Sequence, residues 1–169
     1  QHPNDSLTYS ADGNPELVAY CDSDWCPHHS CSGWCIELAG AAIGYGSKRQ
    51  HCVALSSTEA EIMAASQAAV EVVYHRQLLA NLGRPCKRPT VLYCDNAGAV
   101  ELSKDRKACH RSRHILRRYF KVRELVHAGE IEVKFVPTAD NHADLFTKAL
   151  PKAAFNRHKS SIMTPSTLA

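Results

Sequence analysis

Four carboxylates in this chain stand where one expected element ends or the next begins. They are Asp22 in Ala19-Tyr-Cys-Asp-Ser-Asp24, Glu61 in Ser56-Ser-Thr-Glu-Ala-Glu61, Asp95 in Leu92-Tyr-Cys-Asp-Asn96 and Asp144 in Ala143-Asp-Leu-Phe-Thr-Lys148. Acids at such junctions can converge from distant parts of a chain onto one point. Hard divalent cations such as Mg²⁺ take carboxylate oxygens and keep several of their waters. Two such ions about 4 Å apart can activate a water and spread the charge of a phosphodiester under attack. That chemistry needs three or four acids from different elements, and this order supplies them.

Taken singly, each acid has a simpler role. Asp95 before Asn96 could cap a helix. Asp22 and Asp24 could be turn residues. Glu59 and Glu61 both suit the first turn of a helix, where the macrodipole favours negative charge, and Asp144 could be another such acid. The weight lies in the combination.

The elements that must position these acids follow from periodicity and punctuation. Residues 1–15 are polar and turn-rich, with Asp12-Gly13 and Asn14-Pro15, and read as a linker. Residues 17–21 form a short apolar strand ending at Asp22. Residues 33–38 and 41–45, joined across Ala39-Gly40, read as a hairpin, so an antiparallel meander is expected. The period then changes to helical over residues 57–81, with Ile62, Ala65, Ala69, Val72 or Val73, Arg76 and Leu79 on one stripe. Ser56 or Ser57 caps its start, and Gly83 and Pro85 end it.

Residues 90–94 form the next strand, and Asp95-Asn96 caps a short helix to about Ser103. A basic segment covers residues 104–123. In its second part Ile115, Tyr119, Val122 and Val126 oppose Arg113, Arg117 and Lys121, and Gly129 ends it. A strand is expected over 132–136. A last helix is expected from Asp140 or Asn141 to Leu150, stopped by Pro151. Strands first, then strands alternating with helices, imply an α/β domain: a mixed sheet of about five strands covered by helices.

Composition agrees with one domain. The chain has 169 residues, 44% of them hydrophobic, enough for a real core. No apolar run approaches the roughly 20 residues that span a bilayer, so no membrane partner is expected. Eight cysteines match no small disulfide scaffold and read as reduced thiols. Lys and Arg outnumber Asp and Glu by 20 to 17. With the four acids set aside the excess is clearly basic, which suits an anionic partner such as nucleic acid. The chain starts at Gln1 rather than Met and reads as a piece of something longer.

The flanking residues resemble the ribonuclease H domain of copia-type LTR retrotransposon Pol polyproteins. The resemblance runs through Leu17-Val-Ala-Tyr-Cys-Asp-Ser-Asp-Trp25, Ser32-Gly33, Ser47-Lys-Arg-Gln50, Val53-Ala-Leu-Ser-Ser-Thr-Glu-Ala-Glu61, Tyr93-Cys-Asp-Asn96, Arg113-His-Ile115, Gly129-Glu-Ile-Glu132, Val136-Pro-Thr138 and Ala143-Asp-Leu-Phe-Thr-Lys-Ala-Leu-Pro151. It implies the ribonuclease H-like fold, a five-stranded mixed sheet with three antiparallel and two parallel strands. It implies a domain over residues 16–155, with 1–15 as linker and 156–169 as tail.

The resemblance also implies endonucleolytic cleavage of the RNA strand of RNA–DNA hybrids during reverse transcription, by two Mg²⁺ ions with Mn²⁺ able to substitute. It selects Asp22, Glu61, Asp95 and Asp144 as the catalytic and metal-binding set. Ser57, Thr58, Asn96, Arg113 and Arg117 become candidates for nucleic-acid contact. The expected partners are the hybrid and the polyprotein's reverse transcriptase domain. The expected location is cytoplasmic, in the element's virus-like particle, with a nuclear stage as the alternative. Such an enzyme should read 2′-hydroxyls, groove shape and phosphates rather than bases.

Some positions depart from the family pattern. Leu116 stands where an Asp is usual, and Tyr45 where a Trp is usual. Cys26-Pro-His-His-Ser-Cys31 replaces a more basic, hydroxylic stretch. His142 is too near Asp144 to serve as the loop histidine of cellular relatives. Two rival readings remain. One is a catalytically inactive ribonuclease H-like module that binds nucleic acid. The other is a zinc-stabilised interaction domain built on Cys26, His28, His29 and Cys31, whose spacing is too tight for a standard site.

Overall fold

A computed structural model describes residues 5–104 and 113–165, with the side chains of 113–117, 119, 164 and 165 left aside. Its centre is a five-stranded sheet of β2 (Val18–Asp24), β3 (Cys31–Leu38), β4 (Ala41–Arg49), β5 (Thr90–Cys94) and β6 (Ile131–Phe135). A small β1 (Asp5–Ser6) pairs antiparallel with β7 (Thr164–Pro165) outside it. The main sheet runs in the order β4-β3-β2-β5-β6. The first three strands are antiparallel, and β5 and β6 are parallel to β2. The expected mixed architecture is what forms.

The antiparallel half is a meander because its linkers are short. Leu38 pairs with Ala41 across a two-residue turn. Both turn residues, Ala39 and Gly40, have positive φ, the geometry that matches the twist of a tight hairpin. The parallel half needs crossovers, and helices provide them. These are α1 (Ser57–Asn81), α2 (Ala97–Lys104) and α3 (Arg113–His127).

One face of the sheet presents Ala19, Cys21, Ile36, Leu92, Cys94, Ile131 and Val133 to these helices. The sealed alanines of α1 (Ala60, Ala64, Ala65, Ala68 and Ala69) let it sit close to the strands. From Ala60 to Ala69 nearly every residue is buried, so the expected single stripe holds only for the second half. There Arg76 donates to Glu130 Oε2 at 2.6 Å and to Thr90 Oγ1 at 3.0 Å.

The opposite face carries Cys35, Ala42 and Tyr20 against Leu145, Phe146 and Ile162. Here the structure corrects one expectation. No α-helix runs from residue 140 to 150. Short 3-10 turns, Thr138–Asp140 and His142–Phe146, take that place, and α4 (Lys152–Ile162) begins only after Pro151. Pro151 stands at the N-cap of this helix, with ψ 149°, and its carbonyl accepts from Phe155 N at 2.9 Å, so it precedes a helix rather than ending one. Among the described residues no helix is long and apolar enough to cross a membrane.

Candidate active site

Cys21 of β2 pairs in parallel register with Cys94 of β5. The residues that follow, Asp22 and Asp95, therefore emerge side by side at the carboxyl ends of adjacent strands. Asp22 is 1% exposed and lies opposite Gly33 of β3.

Glu61 arrives from the first face, in the second turn of α1. Ser56 caps that helix by accepting from Glu59 N at 3.2 Å, and Glu59 Oε2 reaches back past the cap to accept from Leu55 N at 2.9 Å. Gln50 ties the helix start to β3, donating to Ser32 Oγ at 2.8 Å and Ala60 O at 3.0 Å. Glu61 Oε1 then accepts from Ser23 N at 3.1 Å and Ser23 Oγ at 2.9 Å.

Asp144 arrives from the other face, on the turn His142–Phe146. Asn141, fully buried, holds that turn to the sheet. Its Nδ2 donates to Cys21 O at 3.0 Å, and its Oδ1 accepts from Ala143 N at 3.2 Å. Gly33 makes the close approach possible. A Cβ there would lie 2.6 Å from Thr147 Cγ2 and 3.0 Å from Ala143 O.

Oxygens of Asp22, Asp95 and Asp144 lie within 4.8 Å of one another. A second group, within the same limit, joins Glu61, Cys94 and Asp95. Asp95 belongs to both. So many acids in so little water cannot all be comfortably charged. Burial pushes the Glu61 carboxyl up to about 9, helped by Cys94, Asp22 and Asp95. Burial and Asp22 push Asp144 up to about 6, against the opposing pull of Lys148.

Lys148 bridges Asp22 Oδ1 at 3.1 Å and Asp144 Oδ1 at 3.0 Å. Thr147 Oγ1 donates to Asp22 Oδ2, and Thr138 Oγ1 donates to Asp95 Oδ2 at 2.8 Å. Hard oxygen donors, raised carboxyls and an ammonium drawn onto two of them all express a demand for positive charge. The donor set fits a hard divalent cation.

No protein-family model matches the chain. Solved structures do. One is LC11-RNase H1, isolated from compost and solved in complex with an RNA/DNA hybrid. It superposes with a TM-score of 0.59 at 13% identity, over 78% of this chain and 94% of its own. Among curated proteins, the chain is 36% identical over 153 residues to the retrovirus-related Pol polyprotein from transposon TNT 1-94 of Nicotiana tabacum, covering 88% of this chain. It is 35% identical over 164 residues to that from transposon RE1 of Arabidopsis thaliana, covering 95% of this chain. The chain belongs to the retrovirus-related Pol polyproteins, and its fold is ribonuclease H-like. It spans 11% of the length of each of these two relatives.

Within this ribonuclease H-like fold, the other expected site residues are placed as follows. Ser57 is exposed and Thr58 half-buried in the first turn of α1. Asn96 Oδ1 accepts from Ala99 N at 3.0 Å, which caps α2. The two helix starts abut, since a Cβ on Gly98 would lie 3.4 Å from Thr58. Arg113 and Arg117 belong to α3, but their side chains fall outside the described residues.

His142 faces away from the acids. Its Nδ1 is 2.6 Å from Glu37 Oε1 and its ring stacks on Tyr20 at 4.3 Å. The segment 26–31 makes no ligand cluster among the described residues. Seven cysteines are described, all free.

Sequence reasoning missed Lys148, Thr147, Ser23 and Thr138. A signal existed only for Lys148. Its four-residue spacing from Asp144 is that of a salt-bridged helical turn.

Proposed function

We propose that this domain hydrolyses the RNA strand of RNA–DNA hybrids endonucleolytically, with divalent metal ions, during reverse transcription of a copia-type LTR retrotransposon. The observation that carries this reading is the convergence of Asp22, Asp95 and Asp144 within 4.8 Å at the strand ends, with Glu61 beside Asp95. The relatives are retroelement polyproteins, and LC11-RNase H1 was solved holding a hybrid. Both support the substrate class. The reverse transcriptase domain of the same polyprotein would be its working neighbour.

Asp22, Asp95 and Asp144 would hold one ion, and Glu61 and Asp95 a second, with Mg²⁺ the preferred species and Mn²⁺ a substitute. When bound, the ions would supply a hydroxide-like water and a clamp for phosphate charge. Asp95, common to both groups, positions the two sites relative to each other. Glu61 would release to solvent, on ion binding, the proton that burial makes it keep. Ser23 and Thr138 orient Glu61 and Asp95 so that their oxygens face the cluster. The abutting starts of α1 and α2, with Ser57, Thr58 and Asn96, present N–H and hydroxyl donors for the sugar-phosphate backbone beside the acids. Arg113 and Arg117 would add phosphate contacts that weaken with salt.

The test is cleavage of a labelled RNA–DNA hybrid in Mg²⁺, with Asp95→Asn as control. Cleavage by the unmodified domain and its loss in the variant are expected. Equal activity of the two, or none in the unmodified domain, would sink the reading.

A further inference from the structure

Lys148 holds the position that a divalent ion would need. Its Nζ sits 3.1 Å from Asp22 Oδ1 and 3.0 Å from Asp144 Oδ1. Both acids belong to the group whose oxygens lie within 4.8 Å of one another. An Mg²⁺ ion binds oxygen at about 2.1 Å and demands near-octahedral surroundings. An ammonium at hydrogen-bond distance competes with it for these two oxygens, because both are cations drawn to the same carboxylates.

The surroundings are built for exchange. The two carboxylates are nearly sealed, at 1% and 5% side-chain exposure, whereas the lysine keeps 33%. The lysine is therefore the most solvent-exposed of the three side chains. Lys148 N donates to Asp144 O at 3.1 Å, so the backbone of the lysine is fixed one turn beyond the acid. Thr147 Oγ1 donates to Asp22 Oδ2. That bond holds the Asp22 carboxylate in place while its other oxygen changes partner.

We propose that Lys148 is a tethered cation that balances Asp22 and Asp144 until a divalent ion displaces it, and that it thereby sets the metal affinity of the site. This rests on the metal-dependent reading above. Without metal, the lysine keeps two buried like charges from opening the strand end. With metal, the site loads only when the free ion outcompetes a side chain at very high effective concentration. Lys148 is a positioning residue: it acts through Asp22 and Asp144.

The experiment is calorimetric titration of the domain with Mn²⁺ and with Mg²⁺, without hybrid, for the unmodified protein, Lys148→Met, Lys148→Arg and Asp95→Asn. Lys148→Met should bind tighter by about tenfold or more, the scale of losing hydrogen bonds to charged partners. Lys148→Arg should bind no tighter than the unmodified domain. A merely structural lysine would lower stability on removal without tightening metal.

A second measurement needs no variant. Acylation of Lys148 by an amine reagent, read by mass spectrometry, should rise when Mg²⁺ is added. A folded Lys148→Met with unchanged or weaker affinity, or labelling that metal does not raise, overturns the proposal and leaves the metal site standing. If the unmodified domain and Asp95→Asn bind metal identically, or neither binds, the functional reading falls and this proposal falls with it.

Discussion

Replacing Glu61 by Gln should stabilise the metal-free domain at neutral and alkaline pH while destroying its metal site. The Glu61 carboxyl is pushed up to about 9 in the folded protein, first by burial and then by Cys94, Asp22 and Asp95, against an ordinary 4.5. The folded state therefore binds a proton that the unfolded chain has released between those two values. Stability from this group is fully present below about 4.5 and is lost progressively as pH rises towards 9. At about 1.4 kcal/mol per pH unit, holding Glu61 at pH 7 costs the fold about 3 kcal/mol.

Gln carries no such cost, and its carbonyl oxygen can still accept from Ser23. Urea unfolding in excess chelator at pH 5, 7 and 8 measures the difference. The two proteins should nearly coincide at pH 5, and the variant should lead by about 3 kcal/mol at pH 7 and by more at pH 8. Saturating Mg²⁺ should narrow or reverse that lead. Superimposable pH profiles, or a variant less stable at pH 8 in chelator, would refute the electrostatic reasoning.

Other outcomes follow from the same geometry. Metal binding at pH 7 should release about one proton, chiefly from Glu61, so its heat should depend on the buffer's ionisation enthalpy and its affinity should rise from pH 6 to 9; a buffer-independent heat would contradict this. Gly33→Ala places a methyl where Thr147 and Ala143 already pack, and should cost about 1–3 kcal/mol in denaturation and weaken metal binding. Asn141→Ala removes the bond to Cys21 O and the cap on Ala143, and should cost about 2–3 kcal/mol by the same measurement. Arg76→Met should lower stability by about 1–2 kcal/mol, because it strips buried Thr90 of its partner and half-exposed Glu130 of its ion pair, while leaving metal affinity near that of the unmodified domain.

The strands and α1 were legible because their limits are chemical. Ser56 and Gly83 bracket α1, and Ala39-Gly40 forces the hairpin between β3 and β4. The segment after β6 was not. Asn141 followed by Ala143, Leu145 and Phe146 fits a helix start, yet the same residues satisfy 3-10 turns pinned by Asn141 to β2. Pro151 punctuates either way, and only packing decides that the helix lies beyond it.

The acids were visible as residues at junctions. Which sides they approach from was not, since Glu61 and Asp144 reach the strand ends from opposite faces of the sheet. Lys148 was visible as a neighbour of Asp144. Its second partner, Asp22, is 126 positions away, and no local spacing reveals that bond.

That separation makes the site a report on the whole fold. Its four acids come from β2, α1, the end of β5 and the turn before α4, so it cannot exist in a nascent chain that stops short of Asp144. A fragment ending at Pro137 would keep Asp22, Glu61 and Asp95 yet lack Asp144, Thr147 and Lys148. Non-local contacts of this kind form late and slowly. Docking of the final turns is thus the step that creates competence, and divalent-ion binding can serve as a spectroscopic clock for completed folding rather than for any part of it.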